Sequence, residues 1–422
     1  MAVAMVILMG VALAPGSQAA GSRSVVNPAV GGRSVVSQVA GSRVVGSPAV
    51  GSQPAGGSGC SSVPFRRHES GYSYFRIPAV VATTGTTLLA FAEGRTQGGS
   101  DSGNIDLVVR RSRDGGCTWG RIVLVADDGS DTIGNPAPVY DSVTRKVLLL
   151  ATGNGGQMTG RGIAAGRATG ASTRRVYQFT SADEGKSWSR KEITRSVKKT
   201  GWRWYATGPG HGLQINGGPH RGRLVVTGVH SIGPSGSDLG TEHKYSGTHA
   251  IVSDDHGRTW RIGFVDSTYD GRVNTNETAV AQLPGGLLYF NSRDQFGSAP
   301  GNRAFSYSGT GGNTLNRRFV AAPGIAAPMV QCSVLGLGSG LYFAGPSSLD
   351  GTRSRLTIRG TTDNGAAGRF GSQYMVWNGY AAYSDLVATS ATAIGVLYER
   401  GRTSPYDEIA FQTIDTANLT PL

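Results

Sequence analysis

The chain has 422 residues, 65 of them Gly, with 16% charged and 8% aromatic residues and a formal charge of +13 at pH 7. Its seven His form no H-E-x-x-H and no Cys/His cluster, which argues against a metal centre or other cofactor, and its Lys and Arg residues are scattered without a nucleic-acid-binding signature. A basic surface of this kind points instead to an acidic ligand.

Taken in order, Met1 to Ala20 hold an apolar run from Val3 to Ala14, then Pro15-Gly16 and the small residues Ser17-Gln18-Ala19-Ala20. This reads as a secretory signal cleaved near Ala19 or Ala20, and hence as an extracellular protein. No Lys or Arg precedes Arg23, so a membrane-retained anchor or a different start codon are the competing readings. Residues 21–59 repeat a decapeptide (Gly21-Ser-Arg-Ser-Val-Val, Gly31-Gly-Arg-Ser-Val-Val, Gly41-Ser-Arg-Val-Val) with no acid and no aromatic. Such a segment buries too little apolar surface to offset ordering, and is expected to be a flexible tether. Arg23, Arg33 and Arg43 are the only charges before Cys60, so residues 60–422, expected to form one large domain, keep +10. Cys60, Cys117 and Cys332 allow at most one disulfide.

Within 60–422, short runs rich in β-branched and aromatic residues and the absence of long helical periodicity favour an all-β class. One frame, S-x-D-x-G-x-[ST]-W, occurs at Ser112–Trp119, Ser181–Trp188 and Ser253–Trp260, and Thr361-Thr-Asp363-Asn-Gly365 begins a fourth copy. Ser and Asp side chains bond nearby N–H groups and Gly supplies positive φ, so each frame is a tight turn anchored by its Trp. By itself this is scaffold and predicts no activity. Apolar segments begin at Leu88, Val147, Leu224, Leu287, Leu341 and Ile394, with spacings of 59, 77, 63, 54 and 53 residues by subtraction. Six units of about sixty residues match four-stranded blades, and the fold expected is a six-bladed β-propeller. Glu93, Arg95, His230, Arg293 and Glu399 follow these strands, where a propeller gathers equivalent ends near its axis.

The start Phe75-Arg76-Ile77-Pro78, together with the repeated S-x-D-x-G-x-T-W turns, resembles the sialidase (neuraminidase) family, particularly its secreted bacterial members, over residues 65–415. The resemblance implies a metal-independent exo-α-sialidase that cleaves terminal α-linked sialic acids of glycoproteins, glycolipids or oligosaccharides with retention, acting as a monomer. It implies that Arg76, Arg293 and Arg353 hold the sugar carboxylate, with Arg355 and Arg359 as alternatives along the third strand. It further implies Asp101 as acid/base, with Asp106 as the alternative, Tyr383 as nucleophile, Glu277 as its base, Arg95 near the ring substituents, and Glu399 orienting Arg76. Trp204 and Tyr205 are expected to line the pocket; His211 and His249 are expected to be structural. Two rivals keep the scaffold: a non-catalytic propeller that binds sialylated glycans, and an enzyme that transfers the sialyl group or prefers an altered nonulosonic acid. The first would not need Asp101, Glu277 and Tyr383.

Overall fold

A computed structural model describes residues 59–422, apart from 268, 323, 366 and 367. The leader and nearly all of the tether read from the sequence lie outside the described residues. What is described is all-β, and its α-helices, Gly160–Ala164 and Thr194–Val197, are a single turn each. Each of the six apolar segments lies in a strand, the fourth all but its first residue, Leu287: Leu88–Arg95, Lys146–Asn154, Leu224–Ser231, Leu288–Asp294, Gly340–Pro346 and Ala393–Gly401.

These strands are hydrogen-bonded into four sheets rather than six separate ones, of eight, five, four and eight strands. The larger number of strands per sheet has two local causes. The 17-residue strand Ser372–Ala388 pairs through its first half with Ser354–Thr361 and through its second half with Ala393–Gly401. A single parallel pairing, Ile105 with Thr132, joins two otherwise separate antiparallel groups. Ser61–Arg66 pairs antiparallel with Glu408–Asp415, so a sheet built by the end of the chain is completed by the first described strand.

Side chains alternate across a strand, and here both faces are buried, which is why the runs read as continuously apolar. Leu88 and Ala90 enter one cluster while Leu89 and Phe91 enter the next. Val147 and Leu149 share that second cluster, whereas Leu148 and Leu150 turn to a third with Leu224 and Val226. Six such clusters are found among the described residues, each shared by successive strand groups.

The repeated frames close as expected. Asp114 accepts from Thr118 N at 2.9 Å and Thr118 Oγ1 at 2.6 Å, and Ser112 Oγ accepts from Gly116 N at 2.8 Å. Asp183 and Asp255 repeat the pattern with Ser187 and Thr259. The Thr118 bonds hold the Asp114 carboxyl down to about 2. Trp119 stands edge-on to Phe411 and Trp188 edge-on to Phe91, pinning each turn to a neighbouring group. A further copy escaped the sequence reading: in Ser308-Gly-Thr310-Gly-Gly312-Asn-Thr314-Leu315, Thr310 replaces Asp and Leu315 replaces Trp. Gly312 N still donates to Ser308 Oγ at 3.0 Å and Thr314 N to Thr310 Oγ1 at 2.9 Å. A disulfide joins Cys60 to Cys117 inside the first frame, and Cys332 is a buried free thiol.

Candidate active site

Three site residues sit where an inner strand loses its register. Pairing of Tyr74–Ala82 breaks between Arg76 and Ala79, that of Thr275–Gln282 between Thr275 and Thr278, and that of Ser372–Ala388 with Ala393–Gly401 between Ala381 and Ser384. A bulge re-aims a side chain that regular alternation would bury between sheets. Arg76, Glu277 and Tyr383 each occupy one. In the first, Pro78 has no N–H to contribute to the ladder, and Ile77 takes φ +59°, which is uncommon for a β-branched residue.

The three bulges meet. Tyr383 donates its hydroxyl to Glu277 Oε1 at 2.6 Å, and Arg293 Nη1 donates to Glu277 Oε2 at 2.9 Å. The Tyr383 hydroxyl is pushed well above its usual range by burial and by the Glu277 charge. It is therefore a neutral phenol whose one acceptor is a carboxylate. Arg76 Nε reaches Glu399 Oε1 at 2.7 Å, and Glu399, fully buried, also accepts from Ile77 N at 2.9 Å and Tyr383 N at 3.1 Å. One carboxylate thus fixes the guanidinium and the backbone of two bulges. Tyr406, which no motif singled out, stacks its ring 3.9 Å from the Arg76 guanidinium carbon and accepts from Arg353 Nη1 at 3.0 Å. The Tyr383 ring lies 5.5 Å from the same Arg76 carbon. Arg76, Arg293 and Arg353 accordingly belong to one constellation around Tyr383.

Opposite them stands Asp101, its side chain 81% exposed on the Gly-rich loop, 2.8 Å from Arg95 Nη1 and 4.0 Å from Arg76 Nη1. Against desolvation, which would raise it, Arg95 and Arg76 hold the Asp101 carboxyl below the usual carboxylate range. Arg95 is anchored by Glu93 at 2.6 Å and by the carbonyls of Gly99 and Ser100 at 2.6 and 2.9 Å, so it also shapes the loop that carries Asp101. Glu93 in turn accepts from Asn135 N at 2.8 Å. A Cβ on Gly134 would come within 2.2 Å of that carboxylate, so only Gly fits there.

The same chain of contacts leads to Arg174, which the sequence reading missed. Asn135 Oδ1 meets Thr152 Oγ1 at 3.2 Å, Thr152 Oγ1 accepts from Arg174 Nη1 at 3.3 Å, and the Arg174 guanidinium stacks 3.9 Å over Trp204. Arg174 is only 3% exposed and its Nε has no partner. Burial pulls it down to about 10, offset in part by Glu93 and Asp101. The signal available was the doublet Arg174-Arg175, of which strand alternation turns one inward.

Other expectations resolve as follows. Arg355 is exposed at φ +63°, and Arg359 donates to the carbonyl of Ala326, so neither joins the constellation. Asp106 is held by the Tyr72 hydroxyl at 2.8 Å, and burial raises it to about 6, away from the arginines that face Asp101. Trp204 lines a cavity of about 430 Å³ together with Tyr245, Asn276 and Gln295. Tyr205 corrects the expectation that it would line the pocket. It is fully buried, donating to the carbonyl of Val197 and bonded to His249, because its strand turns it toward the core. His230 likewise does not reach the site: it pairs with His249 at 3.0 Å and stacks on Trp202. His211 is bonded to Asp385 through both backbone and ring, a structural contact as expected.

Residues 86–396 match the family model described as BNR repeat-like domain. A sialidase of Micromonospora viridifaciens is 29% identical over 355 residues, covering 78% of this chain and 50% of its own length. An exo-alpha-sialidase of Arthroderma benhamiae is 28% identical over 358 residues, covering 78% of each. Among solved structures, the Hadza microbial sialidase Hz136 superposes with a TM-score of 0.70 at 25% identity, over 83% of this chain and 68% of that one. The chain thus spans about half the length of the first of these relatives.

Proposed function

We propose that this chain, which belongs to the sialidase family of BNR-repeat proteins, is an exo-α-sialidase that removes terminal α-linked sialic acids from glycoconjugates with retention of configuration. The observation that carries this reading is the 2.6 Å contact from Tyr383 Oη to Glu277 within a ring of three arginines. Sialic acid bears its carboxylate on the anomeric carbon, and a carboxylate nucleophile would meet like charge there in a poorly solvated pocket. A neutral phenol avoids that repulsion. Arg76, Arg293 and Arg353 offer planar, permanently charged forks to the substrate carboxylate.

In the first step Tyr383 Oη bonds to the anomeric carbon as its proton passes to Glu277, while the glycosidic bond breaks and its oxygen takes a proton from Asp101. In the second step Asp101, now ionised, takes a proton from water, whose oxygen displaces Tyr383, and Glu277 returns the phenolic proton. Asp101 is held ionised in the free site by Arg95 and Arg76. Substrate carboxylate on Arg76 offsets part of that cationic field, which favours the protonated form when it is needed. Trp204 faces the remainder of the sugar while Arg95, buried behind Asp101, steadies the loop that carries it, and the cavity beside Asn276 has room for the sugar's tail or aglycone. A binding-only scaffold has no use for a phenol hydrogen-bonded to a carboxylate, whereas the sialyl-transfer alternative shares every step except the acceptor.

The architecture we propose is a six-bladed propeller, since each eight-stranded sheet divides at Ser372–Ala388 or at the lone Ile105–Thr132 pairing, and six apolar clusters fit six blade interfaces. We further propose residues 1–20 as a secretion signal and 21–59 as tether to a catalytic domain at 60–422, acting outside the cell as a monomer.

NMR of the product first formed from an α-sialoside tests the reaction: α-sialic acid should appear before mutarotation, and first-formed β product would exclude the tyrosyl intermediate. A second expected result concerns Arg174. A nearby cation favours ionised Asp101, so Arg174→Gln should raise the Asp101 pKa, keep its acid form to higher pH, and move the alkaline limb of the kcat/KM profile upward. An unmoved limb would remove Arg174 from the electrostatics of the site.

A further inference from the structure

The frame turns are a sequence feature that the proposed reaction leaves unused. Between the first and second frames lies a groove of about 480 Å³ whose lining includes Arg111, Arg113, Arg121 and Lys186, with Val109 and Val123 as its apolar floor. Between the second and third frames a groove of about 470 Å³ presents Lys191, Arg195 and Arg258. Among the described residues none of these seven cations has a carboxylate within ion-pair distance. Arg111 and Lys191 are spent only on the carbonyls of Glu184 and Arg258, at 3.3 and 2.8 Å. No acid lines the first groove. The second holds Glu192, which is 3.5 Å from Arg175.

The grooves are remote from the reaction. Strand Ile105–Ser112 pairs Ile105 with Arg95 at the site end and Ser112 with Leu88 at the other. Arg113 is eight residues from Ile105, roughly 25 Å at about 3.3 Å per residue. Unpaired cations over an apolar floor suit an anionic ligand, and two successive grooves suit one that repeats its charge along a chain. Nucleic acid would want exposed rings for base stacking. The one aromatic residue in either lining is Trp260, which is 3% exposed.

We infer that the face carrying the frame turns binds an acidic polysaccharide across the two cationic grooves, holding the protein on an anionic glycan matrix while the opposite end of the strands works. This rests on the turns and their charges and not on the proposed reaction, so either can fail alone. Fluorescence anisotropy with the full chain tests it, using labelled chondroitin sulfate and hyaluronan oligosaccharides and a single-stranded DNA of similar charge. Wild type should bind a glycan probe with an affinity that falls as salt rises. The variant R113E/R121E/K186E should bind at least about tenfold more weakly. Adding K191E/R195E/R258E should remove the remaining affinity, while turnover of a small fluorogenic sialoside stays unchanged. Preference for chondroitin sulfate assigns the grooves to sulfate, equal binding of hyaluronan assigns them to carboxylate, and either supports the inference. Undetectable glycan binding, an unchanged affinity in the triple or the sextuple variant, an equal loss in the variant R167E/R402E, placed in the loops at the site ends of Lys146–Asn154 and Ala393–Gly401, or tighter binding of DNA would each overturn it.

Discussion

Tyr383→Phe should lower turnover of a fluorogenic α-sialoside by on the order of 10³-fold or more, with a fall in thermal midpoint of only a few degrees. The substitution removes one oxygen. The ring keeps its place in the apolar cluster that also holds Ile77 and Phe343, and Glu277 keeps Arg293 at 2.9 Å. What is lost is one hydrogen bond to a carboxylate, worth roughly 1.5–3 kcal/mol net, and the nucleophile itself. A kinetic loss far larger than the stability loss is therefore the signature of a reacting group. Wild-type turnover in the Phe variant would show that the 2.6 Å contact with Glu277 is merely structural.

Glu399→Ala should be damaging in both respects. Its carboxylate is fully buried and satisfies Arg76, Ile77 N and Tyr383 N together. Removing one member of a buried ion pair leaves the other uncompensated, at a cost of about 3–5 kcal/mol. Two backbone donors lose their acceptor as well, so the bulges that aim Arg76 and Tyr383 relax. Denaturant unfolding should report the destabilisation, and steady-state kinetics a rise in KM together with a fall in kcat. Glu399→Gln separates the causes: the amide oxygen still accepts from the backbone, so stability should recover further than substrate capture. Equal stability in Ala, Gln and wild type would mean that Asp101, at 4.0 Å, already suffices to balance Arg76.

Much of this was legible in the sequence because each signal is local. The frames announce their own hydrogen bonds, and the motif at Phe75–Pro78 carries both the residue that breaks the ladder and the arginine thereby re-aimed. All eight expected site residues lie in the contacts described, since their motifs travel with the bulges and strand ends that position them. The residues that escaped depend on distant parts of the chain. Tyr406 acquires its role by stacking on Arg76, 330 residues earlier, and nothing beside it says so. Arg174 and Arg175 are equivalent until a strand register sends one to Trp204 and the other toward Glu192. Tyr205 next to Trp204 shows the same limit with the opposite outcome. The frame at Ser308 was hidden because Thr310 reproduces the hydrogen bonding of an Asp without its charge.

Ser61–Arg66 lies against Glu408–Asp415, with Cys60 bonded covalently to Cys117. A polypeptide leaving the ribosome must keep its early strand in waiting until almost all the other described strands have emerged, with Phe65 wet meanwhile. Nicking within 408–415 should then be felt at the opposite extremity, loosening the segment to which the repetitive leader is attached. Stability of this protein thus depends on its first described strand being held by one that is made about 350 residues later, and loss of either strand frees the other.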